Sequence, residues 1–200
     1  MKQTLKRLTP APLWNAARSS YDALARFPDL VPAYLYPWRR ESMHRLSALK
    51  DIHRGERCFI IGNGPSLRQT DLTKLRGEYT FGMNRIYILF PELGFTTTYF
   101  LSINDLVIEQ SAGEILALPM PKFLTWRSRR FFPRQTFNVQ RSTSYIPMFL
   151  YTSYTGPNFA RNAAGRLWEG ATVTYVALQL AFHMGFSQVV LIGVDHSYVS

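Results

Sequence analysis

Four short stretches of this 200-residue chain carry residue types that could do chemistry together. The first is Gly62-Asn63-Gly64-Pro65-Ser66, directly after the apolar run CFII. Two glycines one residue apart allow a tight turn and let backbone N–H groups come close to a phosphate. Pro65 presets φ for the first turn of a helix, and Ser66 adds a hydroxyl beside the exposed N–H groups. The Gly-Lys-Ser/Thr ending of a Walker loop is missing, and Leu67 stands at the third glycine of G-x-G-x-x-G. The second and third stretches supply Asn84 and Asn104-Asp105. A side-chain amide both gives and accepts hydrogen bonds, which suits a ribose or a base edge. The fourth is Asp195-His196. An aspartate there can hold a metal or orient a hydroxyl, and a histidine can act as general base or donor. Asp195, with Asp105 second, is the candidate ligand for Mg²⁺, which a phosphoryl-transfer reaction needs to neutralise its phosphates.

These residues matter together only if the fold brings them together. Each follows a run that reads as a strand: residues 57–62, 79–83, 97–103 and 188–194, with a further strand expected at 122–126. Between them lie helical or crossover-length segments. Asp71 is placed to cap a short helix through Leu75, residues 105–118 have helical spacing, and ATVTYVALQLAFHM forms a strong helix closed by Gly185 as a left-handed cap. Residues 127–169 read as irregular, with turn signals at Pro133 and Pro147. Strands alternating with helices predict an α/β fold with a mainly parallel sheet and helices on both faces. Such a sheet puts all strand C-termini on one edge, where ligands bind. Gly62, Asn63, Gly64, Pro65, Ser66, Asn84 and Asn104 are therefore the candidate nucleotide-binding residues, and Asp195 and His196 the candidate catalytic pair. His44 and His53 receive no role, His183 reads as a packing residue in the strong helix, and Cys58 as inert in a buried strand.

Residues 1–55 read as a separate, basic, proline-broken helical arm ahead of a domain at 56–200. Helices are expected over 13–27 and 39–49, split by PDLVPAYLYPW. Nine basic and three acidic residues fall within positions 1–50, and Lys122, Arg127, Arg129, Arg130, Arg134 and Arg141 form a second basic block without an acid. That block could supply lid cations through Arg127, Arg129 or Arg130. The overall net charge of +10 attracts anions, whether nucleotides or acidic headgroups. Nucleic acid is not the expected partner, because aromatic and basic residues are not interleaved in an RNA-binding pattern. Trp14 and Trp38 in the basic arm suit peripheral contact with the inner face of a membrane. One cysteine excludes an intramolecular disulfide framework and a cysteine-based zinc cluster. The basic opening lacks the apolar stretch of a secretory signal, so the expected location is cytoplasmic.

CFIIGNGPSL, TFGMNRIY and WEGATVTYVALQLAFHMGFSQVVLIGVDHS together resemble the 6-hydroxymethylpterin diphosphokinase MptE-like family over about residues 50–200, weakly between about 120 and 165. The resemblance implies a Rossmann-like fold and diphosphate transfer from ATP or GTP to a small-molecule alcohol. The same domain is similar to motility-associated factors implicated in flagellin glycosylation. More distantly, it is similar to small bacterial sialyltransferases that use a CMP-sugar and act on glycan acceptors. In those sialyltransferases the Gly-Asn-Gly-Pro-Ser loop and two asparagines meet the nucleotide, which implies that role for Asn63, Gly64, Ser66, Asn84 and Asn104. A Ser-Gly pair expected before the last helix is replaced here by Gly170-Ala171-Thr172-Val173-Thr174. Relatives run on beyond the last strand, so the resemblance implies either a fragment or a domain shortened at its C-terminal end. Three readings follow: an MptE-like diphosphotransferase, a glycosyltransferase with a nucleotide-sugar donor, and a non-catalytic nucleotide-binding module.

Overall fold

The computed structural model describes residues 10–133, 146–154 and 158–195. Seven strands form one sheet: β1 (Arg57–Ile61), β2 (Tyr79–Met83), β3 (Tyr99–Ser102), β4 (Lys122–Thr125), β5 (Met148–Ser153), β6 (Arg166–Trp168) and β7 (Gln188–Ile192). The strand order is β6-β5-β4-β3-β2-β1-β7, and each pairing is parallel. The five expected strands are β1 to β4 and β7. The other two, β5 and β6, lie in the stretch that read as irregular; β6 is only three residues long, too short for a periodic signal.

Side chains alternate between two apolar layers, as a pleated strand requires. In β1, Cys58 and Ile60 face one layer and Ile61 the other. The first layer is closed by α6 (Val173–His183), which buries Val176, Ala177, Leu180 and Ala181. Burying each Val or Leu stabilises by about 1.5–3 kcal/mol. Helix α6 ends in a Schellman motif: Gly185, at φ 87°, donates to Phe182 O, and Phe186 N–H donates to Ala181 O. Gln179, fully buried in α6, accepts from Ala160 N–H and Trp168 N–H and donates to Trp168 O, which stitches β6 to the helix. The second layer is covered by short pieces: α3 (Phe90–Leu93), α4 (Asp105–Gln110), α5 (Ala112–Ala117) and the 3-10 segment Trp126–Phe131. The helix expected over 105–118 thus divides, at Ser111 (φ −122°).

The arm breaks at a different place from the one expected. Helix α1 (Ala11–Leu35) runs on through Pro28 and Pro32, and the break comes at extended Tyr36, immediately before Pro37 and α2 (Pro37–Ala48). Prolines four residues apart place their missing donors on one stripe, where a helix bends more readily than it ends. Steric conflict with a following proline ring puts the true break at Tyr36. Helix α2 packs on the body. Leu46 is fully buried, the Arg39 Nη2 donates to Ala164 O and Gly165 O, and Ser42 Oγ accepts from Phe149 N–H. His183, at the end of α6, donates through Nε2 to Leu46 O at 2.8 Å. The described part of residues 10–50 gives no strand to the sheet. No helix among the described residues is long and apolar enough to cross a membrane.

Candidate functional site

Strand order dictates where a cleft opens. The chain leaves β1 toward β2, whereas it reaches β7 from β6 by crossing back over α6, so the two neighbouring strands feed connections of opposite direction. Ligands in open parallel sheets bind at such a switch point, beyond the strand C-termini. A cleft of about 830 Å³ lies there. Its walls are Gly62, Asn63, Gly64 and Pro65 after β1, Asn84 after β2, Asn104 after β3, and Gly193 to Asp195 after β7. The sequence-predicted residues Gly62, Asn63, Gly64, Pro65, Asn84, Asn104 and Asp195 therefore share one cavity. Ser66 adjoins it through Asp195, Asp105 is not among its walls, and His196 lies outside the described residues.

The glycine turn is built differently from the expected phosphate cradle. Gly62 N–H donates to Ile192 O at 2.8 Å and Gly64 N–H to Gly193 O at 2.7 Å, so both donors extend the pairing with β7. Ser66 N–H donates to Asp195 Oδ2 at 3.1 Å, and Ser66 Oγ donates to Asp195 Oδ1. The carboxylate of Asp195 thus sits at the start of the 3-10 turn Pro65–Gln69, where an external anion was expected. Gly64 has φ −72°, which any residue adopts. Glycine is needed for space instead: a Cβ on Gly62 would lie 2.1 Å from Gly193 O, and one on Gly64 2.5 Å from Asp195 O. Asn63 Nδ2 ties the turn to Met83 O at 3.2 Å.

The two further asparagines hold themselves in place by their oxygens. Asn84 takes a left-handed backbone (φ 54°), and its Oδ1 accepts from Ser102 Oγ at 3.1 Å. Asn104 caps α4, its Oδ1 accepting from Leu106 N–H and Val107 N–H. Both amides then have their NH₂ groups as the donors to offer a ligand.

The far wall joins the stretch that stands in place of the Ser-Gly pair to two residues the sequence did not single out, Tyr154 and Glu169. Tyr154, Glu169 and Ala171 to Thr174 line it. Gly170 (φ 50°) and Ala171 (φ 64°) turn the chain through two left-handed residues, and Thr172 Oγ1 then accepts from Thr174 N–H to cap α6. The N-terminal end of α6, with its partial positive charge, therefore borders the cleft. Buried Glu169 accepts from Arg127 Nη1 at 2.5 Å and from Thr152 Oγ1 at 2.6 Å. The Thr-x-Thr cap was legible in the sequence; the pairing of Glu169 with Arg127 was not.

The basic block is also placed differently from a lid. Arg127 is clamped between Glu169 and Asp105. Burial lowers its pKa, but the hydrogen bond and charge of Glu169 and the charge of Asp105 outweigh burial and raise it overall. Arg129 lies over the Trp126 ring at 4.2 Å and donates to Trp126 O. Arg130 reaches Asp105 Oδ2 at 3.5 Å. Lys122 is buried, donating to Leu116 O and Leu118 O at the end of α5, and burial pushes its pKa down to about 8. Arg134 and Arg141 lie outside the described residues. The metal expectation meets the same arginines. Asp105 faces two guanidinium groups, Asp195 is bonded to Ser66, and among the described residues no three His, Cys, Asp or Glu side chains gather as a metal set.

The fold is Rossmann-like. No known protein family matches the chain, and no curated protein matches it. Among solved structures, the MAf glycosyltransferase from Magnetospirillum magneticum AMB-1 is similar, with a TM-score of 0.46 and 18% identity over 93% of this chain. The chain spans about a third of that protein's length, 32%.

Proposed function

We propose that the cleft binds the nucleotide part of an activated donor, and that the chain is a transferase using a nucleotide-sugar. The observation that carries this reading is the gathering of Asn84, Asn104, Gly62 to Pro65 and the start of α6 around one cavity at the switch point. Amide NH₂ donors suit ribose and phosphate oxygens, and the end of α6 favours the charge that grows on a leaving phosphate. Diphosphate transfer from ATP would ask for carboxylates open to a divalent cation. Asp105 is committed to Arg127 and Arg130, which favours the sugar donor. In the proposed step an acceptor hydroxyl oxygen bonds to the sugar carbon while that carbon's bond to the phosphate oxygen breaks. The electron pair leaves on the phosphate, and the hydroxyl proton passes to Asp195, the carboxylate at the cleft edge. Thermal shift with the full chain tests the reading. Nucleoside mono- or diphosphates without Mg²⁺ should raise the midpoint, and Asn84→Gly, which keeps the left-handed backbone, should weaken binding by about 1–3 kcal/mol. A shift produced only by ATP with Mg²⁺ would transfer the cleft to diphosphate chemistry. No shift with either would leave it without a nucleotide role.

A further inference from the structure

Helix α1 presents a surface that the cleft does not use. Leu13, Ala17, Tyr21, Leu24, Val31 and Leu35 recur at the spacing of one helical stripe, with Pro28 on the same line and no charged residue among them. From Leu13 to Leu35 that stripe is about 33 Å long at 1.5 Å per residue. Its large side chains stand in solvent: Leu13 is 62% exposed, Tyr21 72%, Leu24 75%, Val31 53% and Leu35 69%. Fully buried Ala33 lies on the opposite side, where the helix meets the body. An apolar strip of this extent marks a contact surface.

Charge selects the partner. Lys2, Lys6 and Arg7 precede the stripe in the sequence, and exposed Arg40 follows it, within a segment of nine basic and three acidic residues. We propose that α1 lies in the headgroup region of an anionic membrane, with the stripe toward the acyl chains and the flanking basic residues toward lipid phosphates. A second copy of the chain fits this surface less well. Pro28 and Pro32 interrupt the length over which a two-helix seam needs regular knobs-into-holes packing, whereas lipid has no register to break.

The test is flotation of the full chain with vesicles of phosphatidylglycerol and phosphatidylcholine, against vesicles of phosphatidylcholine alone. Partition should fall by about tenfold or more on removing the anionic lipid, and again in Leu24→Asp/Val31→Asp. Because both residues are exposed, the variant should melt at the parent temperature. If it does not, Leu13→Ser/Leu35→Ser carries the test. Three results would overturn the proposal: a parent that stays with the dense phase, a variant that floats as the parent does, or a parent that sediments as a dimer without lipid where the variant is a monomer.

Discussion

Gly62→Ala probes the junction on which the cleft depends. The new methyl would stand 2.1 Å from Gly193 O and 2.8 Å from Gly193 C. Ordinary carbon contacts need about 3.5–4 Å, so the Gly193 backbone must retreat by more than about 1 Å. Both contacted atoms are backbone, and β7 is an edge strand, so relief comes from lifting the end of β7. That movement breaks Gly62 N–H to Ile192 O and Gly64 N–H to Gly193 O. Each bond contributes about 0.5–1.5 kcal/mol, and residual crowding costs about 1 kcal/mol or more. The expected loss is about 2–4 kcal/mol, within the 5–15 kcal/mol of an ordinary domain, so the variant still folds. Urea unfolding followed by circular dichroism measures it, and amide exchange at Gly62 and Gly64 should accelerate. Gly113→Ala is the control, since nothing lies within 4 Å of its Cβ position. If Gly62→Ala unfolds within about 0.5 kcal/mol of the parent with unchanged exchange, the close approach of β1 to the tail of β7 is refuted. Gly64→Val cannot replace this variant as a probe of binding alone, because its Cβ meets Asp195 O at 2.5 Å and displaces the same tail.

Three further outcomes follow from the buried and paired groups. Burial lowers the Lys122 pKa from 10.5 to about 8. Between those values the folded state has lost the proton and the unfolded state still holds it, so stability rises with pH there, by up to about 3 kcal/mol. Lys122→Met should abolish that rise; parent-minus-variant unfolding energies that are flat from pH 7 to 10 would refute it. Cys58 is buried, and burial pushes its thiol up to about 12, so a thiol reagent at pH 8 should modify it only on unfolding; modification in the native state at the unfolded rate contradicts this burial. Arg127→Met should destabilise by about 3 kcal/mol, because buried Glu169 is left unpaired, and adding Glu169→Gln should restore part of the loss in a double-mutant cycle.

The fold was legible where a run of apolar residues was long enough to have a period. β1, β2, β3, β4 and β7 each follow or precede a turn signal and contain four or five residues. β6 has three residues and draws its stability from Gln179 of α6, a contact across eleven positions with no local trace. β5 follows Pro147, which reads locally as a turn, and becomes a strand by pairing with β4 and β6. Helix α1 shows the opposite failure: proline propensity argues for a stop at Pro28, but α1 runs on to Leu35.

The candidate site was legible for a different reason. Parallel strands send their C-termini to one edge whatever their sequences, so naming the strand ends already named Asn84, Asn104 and Asp195 as neighbours. The use of the glycines was not decided at that level. A missing Cβ serves equally to expose an N–H to a ligand or to let a neighbouring backbone approach. Gly62 and Gly64 do the second, with their N–H groups bonded to Ile192 and Gly193. That closeness brings Asp195 over the turn, where its carboxylate takes both donors of Ser66. A phosphate seeking the same donors must displace a carboxylate already held by the strand pairing beneath it. Anion binding at Ser66 is therefore coupled to the position of the β7 tail, and a turn that reads as an open cradle is one that a ligand enters in exchange for the chain's own charge.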